Sequence, residues 1–383
     1  MKLKVWLIVF VLLILLFVRL WGYFHNLPVY KNGDRIVLAT RLTEQPEIRM
    51  GMESFMVTDK FGTRIRVNAA AGQLYNYGDN LLITGTLTIK NQFYSLYYPK
   101  VKIVNSEHNY LSQVDVYIKK TSKELFDGSI PMTSSALLMG MVFGGNQGMP
   151  KAFMDKLRIT GVIHVIAASG MNVTMAAGVF ISLLGKILKR QIVLLLSILG
   201  VLFYAFLAGF EPSIVRAAIM VAISLGAGFL GRQYLAQFAL LLTGYLMLIY
   251  RPANLFDIGF QLSFLSTWGI LILKPLMPFQ KFFLADDMGT TMAAQLATFP
   301  VLFATFGQYG LLSLLVNICV LWTVPFLMIF GAIGAIGGMV FVPLGKLFVW
   351  ISLPFLMYFE RVVSFFADLN WVWRVDSLTW PSI

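Results

Sequence analysis

The larger, C-terminal part of this sequence is a succession of apolar runs, each about as long as a bilayer-spanning helix, joined by short loops in which lysine and arginine collect. No other feature constrains the fold as strongly. A backbone inside hydrocarbon must satisfy its own polar groups, and runs of about 20 apolar residues do so as helices. The runs fall at about 162–185, 191–210, 213–230, 234–250, 254–273, 287–307, 311–330 and 347–367. Ala136–Gly148 and the glycine-rich Gly331–Gly338 read as half-helices or re-entrant pieces. An N-terminal run, Val5–Phe24, brings the expected total to about nine crossings. Composition agrees: 58% of the 383 residues are hydrophobic and 13% are charged. Soluble domains carry about twice that charge fraction, so a water-soluble globule and a disordered chain are both excluded.

The first 130 residues divide into three parts. Residues 1–24 form a membrane anchor preceded by Lys2 and Lys4, with Arg19 near its end, where a long side chain can snorkel. The same run admits a signal-peptide reading, but it is long and no small-residue cleavage site follows. Residues 25–110 carry dense charge and read as short strands at Arg35–Leu42, Glu53–Thr58, Thr63–Asn68, Leu81–Ile89 and Lys100–Val104. Asp59-Lys60-Phe61-Gly62 supplies a hairpin turn between the second and third. Five short strands fit a small Greek-key barrel of the OB type. Residues 111–130 form an amphipathic helix with Val114, Ile118 and Leu125 opposite Lys119, Lys120 and Lys123. It either lies on the membrane surface or packs on the barrel as a linker.

Basic loops face the cytoplasm. Lys2/Lys4, Lys186/Lys189/Arg190, Arg232, Lys274/Lys281 and Lys346 then share one side, with the strand-rich domain and the C-terminus outside. Arg251 and Arg374 depart from the rule, and Lys151, Lys156 and Arg158 depart more seriously unless Ala136–Gly148 crosses fully.

Three histidines (His25, His108, His164) and one cysteine (Cys319) leave no residues for a disulfide framework or a multi-histidine metal centre, and no cofactor is expected. Polar residues inside apolar runs are costly and mark interiors or wet paths. Three clusters qualify. In Gly161–Thr174, His164 precedes Ser169-Gly170 and Asn172 follows; a nucleophile pair, an interhelical hydrogen-bond network and a pore lining are all compatible. No partner carboxylate or GxSxG elbow accompanies the pair. In Gly209–Arg216, Pro212 suits the first helical position with Glu211 near the dipole. Arg216, one turn inside, either snorkels to Glu211 or faces a conduit for anions. In Asp257–Thr267, Asp257 and Gln261 share a helical face; Asp257 either caps the helix, pairs with Arg216 or binds a coupling proton.

These clusters coincide, in order, with a known family. His164-Val-Ile-Ala-Ala-Ser169-Gly170-Met-Asn172-Val resembles the H-L-L-A-I-S-G-L-H-V stretch of the ComEC competence proteins. Pro212-Ser-Ile-Val-Arg216-Ala-Ala-Ile-Met220 resembles that family's P-S-V-V-R-A-A-I-M segment, and Gly259-Phe-Gln261-Leu-Ser263-Phe-Leu265 its G-F-Q-L-S-F-x segment. An anchor followed by a small OB-like domain is also the family's layout, so residues 131–383 would be its transmembrane channel domain.

The resemblance implies an inner-membrane channel that passes single-stranded DNA into the cytoplasm during natural transformation. Membrane lipid is the other partner, and a homo-oligomer is left open. An OB-like domain outside the membrane suits single-strand binding, with Lys60, Arg64, Arg66, Lys90, Lys100 and Lys102 as phosphate contacts and Phe61, Tyr75, Phe93, Tyr94, Tyr97 and Tyr98 for stacking. Aromatics in a small barrel also serve as core. Residues 30–110 hold ten basic and seven acidic residues, a net of only +3. His164, Ser169, Asn172, Glu211, Arg216, Asp257 and Gln261 would form the pore or its polar network.

Two departures matter. Asn172 stands where the family stretch has a histidine. Longer members also carry a metallo-β-lactamase-like domain, whose HxHxDH-type site needs histidines that this sequence lacks after His164. The resemblance therefore implies a short, non-enzymatic form working with a separate nuclease. No phosphate loop appears, so an ATP-driven motor would be a cytoplasmic partner. A membrane hydrolase using His164 and Ser169, and a transporter of another substrate, are the rival readings.

Overall fold

The computed structural model describes residues 2–42, 47–49, 52–59, 61–70, 75, 79–90, 93–105, 110–145, 148–166, 170–277 and 285–374. They form two compact units, one of residues 1–116 with 245–255 and one of 117–244 with 256–382.

The first unit holds α1 (Lys2–His25) and seven strands: β1 (Arg35–Arg41), β2 (Glu47–Arg49), β3 (Met52–Thr58), β4 (Arg64–Ala70), β5 (Asn80–Lys90), β6 (Phe93–Tyr97) and β7 (Lys100–Asn105). Five strands were expected; β2 and β6 are additional. The order is β1-β5-β6-β4-β3-β2, with β7 also on β5, and the sheet curls into a half-barrel. Every pairing is antiparallel except β4 with β6. Alternation explains the curl, because successive side chains point to opposite faces. On β4, Ile65, Val67 and Ala69 point inward and join Phe55, Leu81, Ile83, Leu87 and Leu96 in one core. The expected turn at Asp59 is present. Its Oδ1 accepts from the Phe61 and Thr63 amides at 2.8 and 2.7 Å, and Gly62 takes a φ of +93° that other residues avoid.

The second unit begins within α2 (Tyr110–Asp127) and continues through α3 (Met132–Phe143), α4 (Lys151–Ile159), α5 (Gly170–Leu184), α6 (Arg190–Leu207), α7 (Pro212–Phe229) and α8 (Ala236–Tyr250). The last turns of α8 group with the first unit. Then come α9 (Ile258–Ile272), α10 (Ala285–Phe306), β8 (Gln308–Gly310), α11 (Ser313–Val320), α12 (Val324–Val340), α13 (Val342–Asp368) and β9 (Val372–Arg374), which pairs with β8. Among the described residues, four helical runs are long and apolar enough to cross a membrane: Arg190–Leu207, Pro212–Phe229, Ser313–Val340 and Val342–Asp368.

Two segments are more regular or more buried than their sequences suggest. Gly331–Gly338, expected as a half-helix or re-entrant piece, lies inside α12, and α11 and α12 form one apolar run through Val340, beyond the expected end at 330. The glycines serve close packing: a Cβ on Gly345 of α13 would lie 2.5 Å from the Cα of Gly338. Tertiary contact thus overrides the poor helix propensity of glycine. In the helix over 111–130, Leu125 and Phe126 are buried in the helical core, and Lys120 and Lys123 are exposed. Leu125 packs against Gly338.

Candidate functional site

Arg216 is the centre of the polar arrangement in the helical unit. The chain enters α7 through a turn at Gly209 and Phe210, both at positive φ, and Pro212 occupies the first helical turn. One turn on, Arg216 faces inward with Ala217 and Ala218, small residues that let neighbouring helices approach. α7 packs against both α5 and α9. Arg216 is only 8% exposed. Its Nε donates to Ser263 Oγ on α9 at 2.6 Å, and Nη1 lies 3.3 Å from the Met220 sulfur. A Cβ on Gly170, the first residue of α5, would lie 2.7 Å from Nη2. Pairing with Glu211 or Asp257 was one of the alternatives; the bond found is to Ser263, and among the described residues no carboxylate forms an ion pair with Arg216. Burying a guanidinium costs several kcal/mol unless it is hydrogen-bonded, and the Ser263 hydroxyl supplies part of that compensation.

The other predicted residues divide around it. Asp257 caps α9, its Oδ1 accepting from the Phe260 backbone amide at 3.0 Å, as the capping alternative expects. Gln261 lies in the first turn of α9, its amide on the Asp257 carbonyl at 3.0 Å. Asn172 is buried on α5 and donates to the Met141 carbonyl of α3 at 3.1 Å, which ties the start of α5 to α3. His164 is exposed, with Nδ1 3.1 Å from the Gly161 carbonyl. Ser169 lies outside the described residues. Arg216 and Gly170 therefore come together with Ser263, a residue the sequence motif contains but did not single out.

In the β-rich unit, one face of the sheet gathers most of the predicted nucleic-acid contacts. Arg64 and Arg66 alternate with the buried Ile65 and Val67 and stand on the outward face of β4. Arg66 is in register with Ser95 of β6, which is in register with Thr88 of β5. Lys100 and Lys102 of β7 pair with Thr84 and Leu82 of β5, two-residue steps from Thr88 and thus on the same face. Tyr97, opposite Asn68, and Tyr98 are more than half exposed. Tyr94 and Tyr75 lie on the other side. Tyr94 packs edge-on against Tyr30 at 5.8 Å beside the core, and Tyr75 is buried against Phe55. Burial, followed by the neighbouring Glu53 carboxylate, raises the Tyr75 pKa; burial and a hydrogen bond to Asp59 raise that of Tyr30. Lys60 lies outside the described residues, as do the side chains of Lys90 and Phe93.

The Competence protein family matches residues 141–383 of this chain, which include all three polar motifs and most of the helical unit. The chain belongs to the competence protein family. It is 26% identical over 247 residues to ComE operon protein 3 of Bacillus subtilis (strain 168), covering 63% of this chain and 31% of that one. An uncharacterized protein of Aquifex aeolicus (strain VF5) is 32% identical over 139 residues, covering 36% of this chain and 33% of that one. The chain thus spans about a third of the length of these curated relatives. No solved structure matches. The resemblance drawn from the motifs is confirmed as family membership, and the apolar helices agree with a membrane protein of that competence family. Within the family segment, the partners of Arg216 are what sequence reasoning missed. The Ser263 in the Gly259–Leu265 motif was the available signal.

Proposed function

We propose that this chain conducts single-stranded DNA across the bacterial plasma membrane into the cytoplasm during natural transformation. The observation that carries this reading is the Competence match over residues 141–383, a segment that contains the buried Arg216. A phosphodiester chain crossing a bilayer needs a path without negative potential, and a buried arginine with no carboxylate ion pair among the described residues fits that need. The chain acts as a conduit rather than a catalyst.

The β-rich unit is read as an OB-like domain outside the membrane. Its β3–β4 and β5–β6 hairpins and the parallel β4–β6 pair follow the strand arrangement of such a barrel, open between β1 and β3. Arg64, Arg66, Lys100 and Lys102 with Tyr97 on its outward face supply phosphate contacts and a stacking surface for a single strand. About nine crossings, with the N-terminus cytoplasmic, fit the basic loops. Lys156 pairs with Asp368 at 3.2 Å, which supports placing α4 on the same side as the end of α13, outside. A separate nuclease and a cytoplasmic ATP-driven motor complete the process.

The test is translocation by the purified chain in liposomes that contain a trapped single-strand-binding protein. Labelled single-stranded oligonucleotide should become protected from external nuclease, and duplex of the same sequence should not. Equal protection in protein-free liposomes, or entry of duplex as readily as single strand, overturns the proposal.

A further inference from the structure

Arg251 is one of the cations that depart from the loop-charge rule, and its surroundings in the β-rich unit give it a task. It follows the last residue of α8, within the stretch 245–255 that belongs to the same compact unit as the sheet. The turn between β3 and β4 lies against this stretch. A Cβ on Gly62 would collide with the Ala253 side chain and lie 3.9 Å from Arg251 Nη2. Tyr23, near the end of α1, donates from its hydroxyl to the Phe61 carbonyl of the same turn.

The end of α8 is held without the Arg251 side chain. Arg19 Nε donates to the Ile249 carbonyl at 3.1 Å, and Asn254 Nδ2 to the Met247 carbonyl at 3.3 Å. The Arg251 backbone amide also donates to Met247, at 2.9 Å. The guanidinium is exposed, and among the described residues it makes no ion pair. Asp59, the acid of the facing turn, is already engaged: Oδ1 accepts from the Phe61 and Thr63 amides, and Oδ2 from the Tyr30 hydroxyl. Glu53, the acid of β3, is buried with the core-facing residues of its strand.

Gly62 precedes Arg64 by two residues, and Arg64 and Arg66 stand about 7 Å apart along the outward face of β4. Tyr97 lies beyond them, opposite Asn68. An exposed aromatic and three guanidinium groups therefore follow one another from the sheet to the end of α8, all within one unit. An extended polyanion can lay successive phosphates on such a row, each gripped through paired N–H donors.

We propose that Arg251 is the last phosphate contact of this row, carrying a single strand from the β4 face to the end of α8. That the anion is single-stranded DNA rests on the proposed uptake function.

The test uses the full chain purified in detergent and a labelled single-stranded oligonucleotide, titrated over a range of salt. Arg251→Gln should weaken binding about fivefold near 0.1 M salt and flatten the slope of log affinity on log salt by about 0.7, the share of one phosphate contact. Arg66→Gln should do the same, and Arg251→Lys, which keeps the charge, should keep the slope. Lys123→Gln, which removes an exposed cation of α2, should change neither quantity. Placement is read separately in a Cys319→Ser background, where no native cysteine is left. There Arg251→Cys should react with an oligonucleotide carrying a thiol-reactive group on its backbone, and Lys123→Cys only at background level. An Arg251→Gln slope equal to that of the wild type, or one that Arg251→Lys lowers equally, overturns the assignment and leaves the uptake reading standing. So does labelling of Arg251→Cys no greater than that of Lys123→Cys. No oligonucleotide binding by the wild type overturns the whole row, and the uptake reading then stands or falls on the liposome assay.

Discussion

In the β-rich unit, Arg64, Arg66, Lys100 and Lys102 stand on the outward face of a sheet whose other face is a dry core of Ile65, Val67, Ile83 and Leu96. In the helical unit, by contrast, Arg216 is held inside, between α5, α7 and α9, with a serine hydroxyl as its strongest protein partner. An exposed cation is hydrated and screened, and it contributes to binding chiefly by releasing counterions from a polyanion. A buried cation has already lost its water, so whatever neutralises it is held by stronger fields and with stricter geometry. Under the proposed function, the same residue type would therefore support two tasks: loose, salt-sensitive capture on the sheet, and geometrically selective passage among the helices.

The comparison breaks most easily at Arg216. Arg216→Gln should lower single-strand translocation about a hundredfold, roughly the loss of one charge-assisted hydrogen bond, while oligonucleotide binding by the β-rich face persists. Translocation and binding assays on the same preparation separate the two. Replacing Arg64, Arg66, Lys100 and Lys102 by Gln together should do the reverse. It should flatten the dependence of log affinity on log salt by about 0.7 per lost contact, about 3 in all, without closing the conduit. Salt titration of oligonucleotide binding measures that slope. Gly345→Ala, where the new Cβ would meet the Gly338 backbone, should destabilise the helical unit by about 1–3 kcal/mol and spare the half-barrel. Thermal unfolding with unit-specific proteolysis distinguishes these. The smallest effect is expected for Asp257→Ala, which removes the α9 cap and costs about 1 kcal/mol of helix stability, seen as a modest fall in melting temperature.

What was legible in the sequence follows the range over which each signal acts. Apolar runs and two-residue alternation are local, so the helices, the main strands and the outward placement of Arg64 and Arg66 could be read directly. The Asp59 turn was legible because an aspartate bonding the amides that follow it needs only a few residues. Strand β6 was missed because Phe93–Tyr97 is short, and its tyrosines read as a surface for bases rather than as a strand edge-paired to β4 and β5. Tyr94 and Tyr75 show the same gap: an aromatic in a half-barrel is core or surface according to strand register, which only pairing determines. Gly331–Gly338 looked like a helix breaker because propensity is local, whereas its reason, the approach of α13 and Leu125, comes from residues distant or C-terminal in the chain. Arg216 was marked as out of place by its charge alone. That its partner is Ser263 rather than Glu211 or Asp257 depends on how α7 and α9 cross, which no spacing within either helix encodes.

The most direct measurement deletes the gene in its parent organism and follows fluorescent DNA together with transformant counts. The account predicts that label accumulates outside the plasma membrane and that transformants fall to background, with recovery by the wild-type gene and not by Arg216→Gln. Cytoplasmic label and transformant counts equal to those of the parent strain would contradict it.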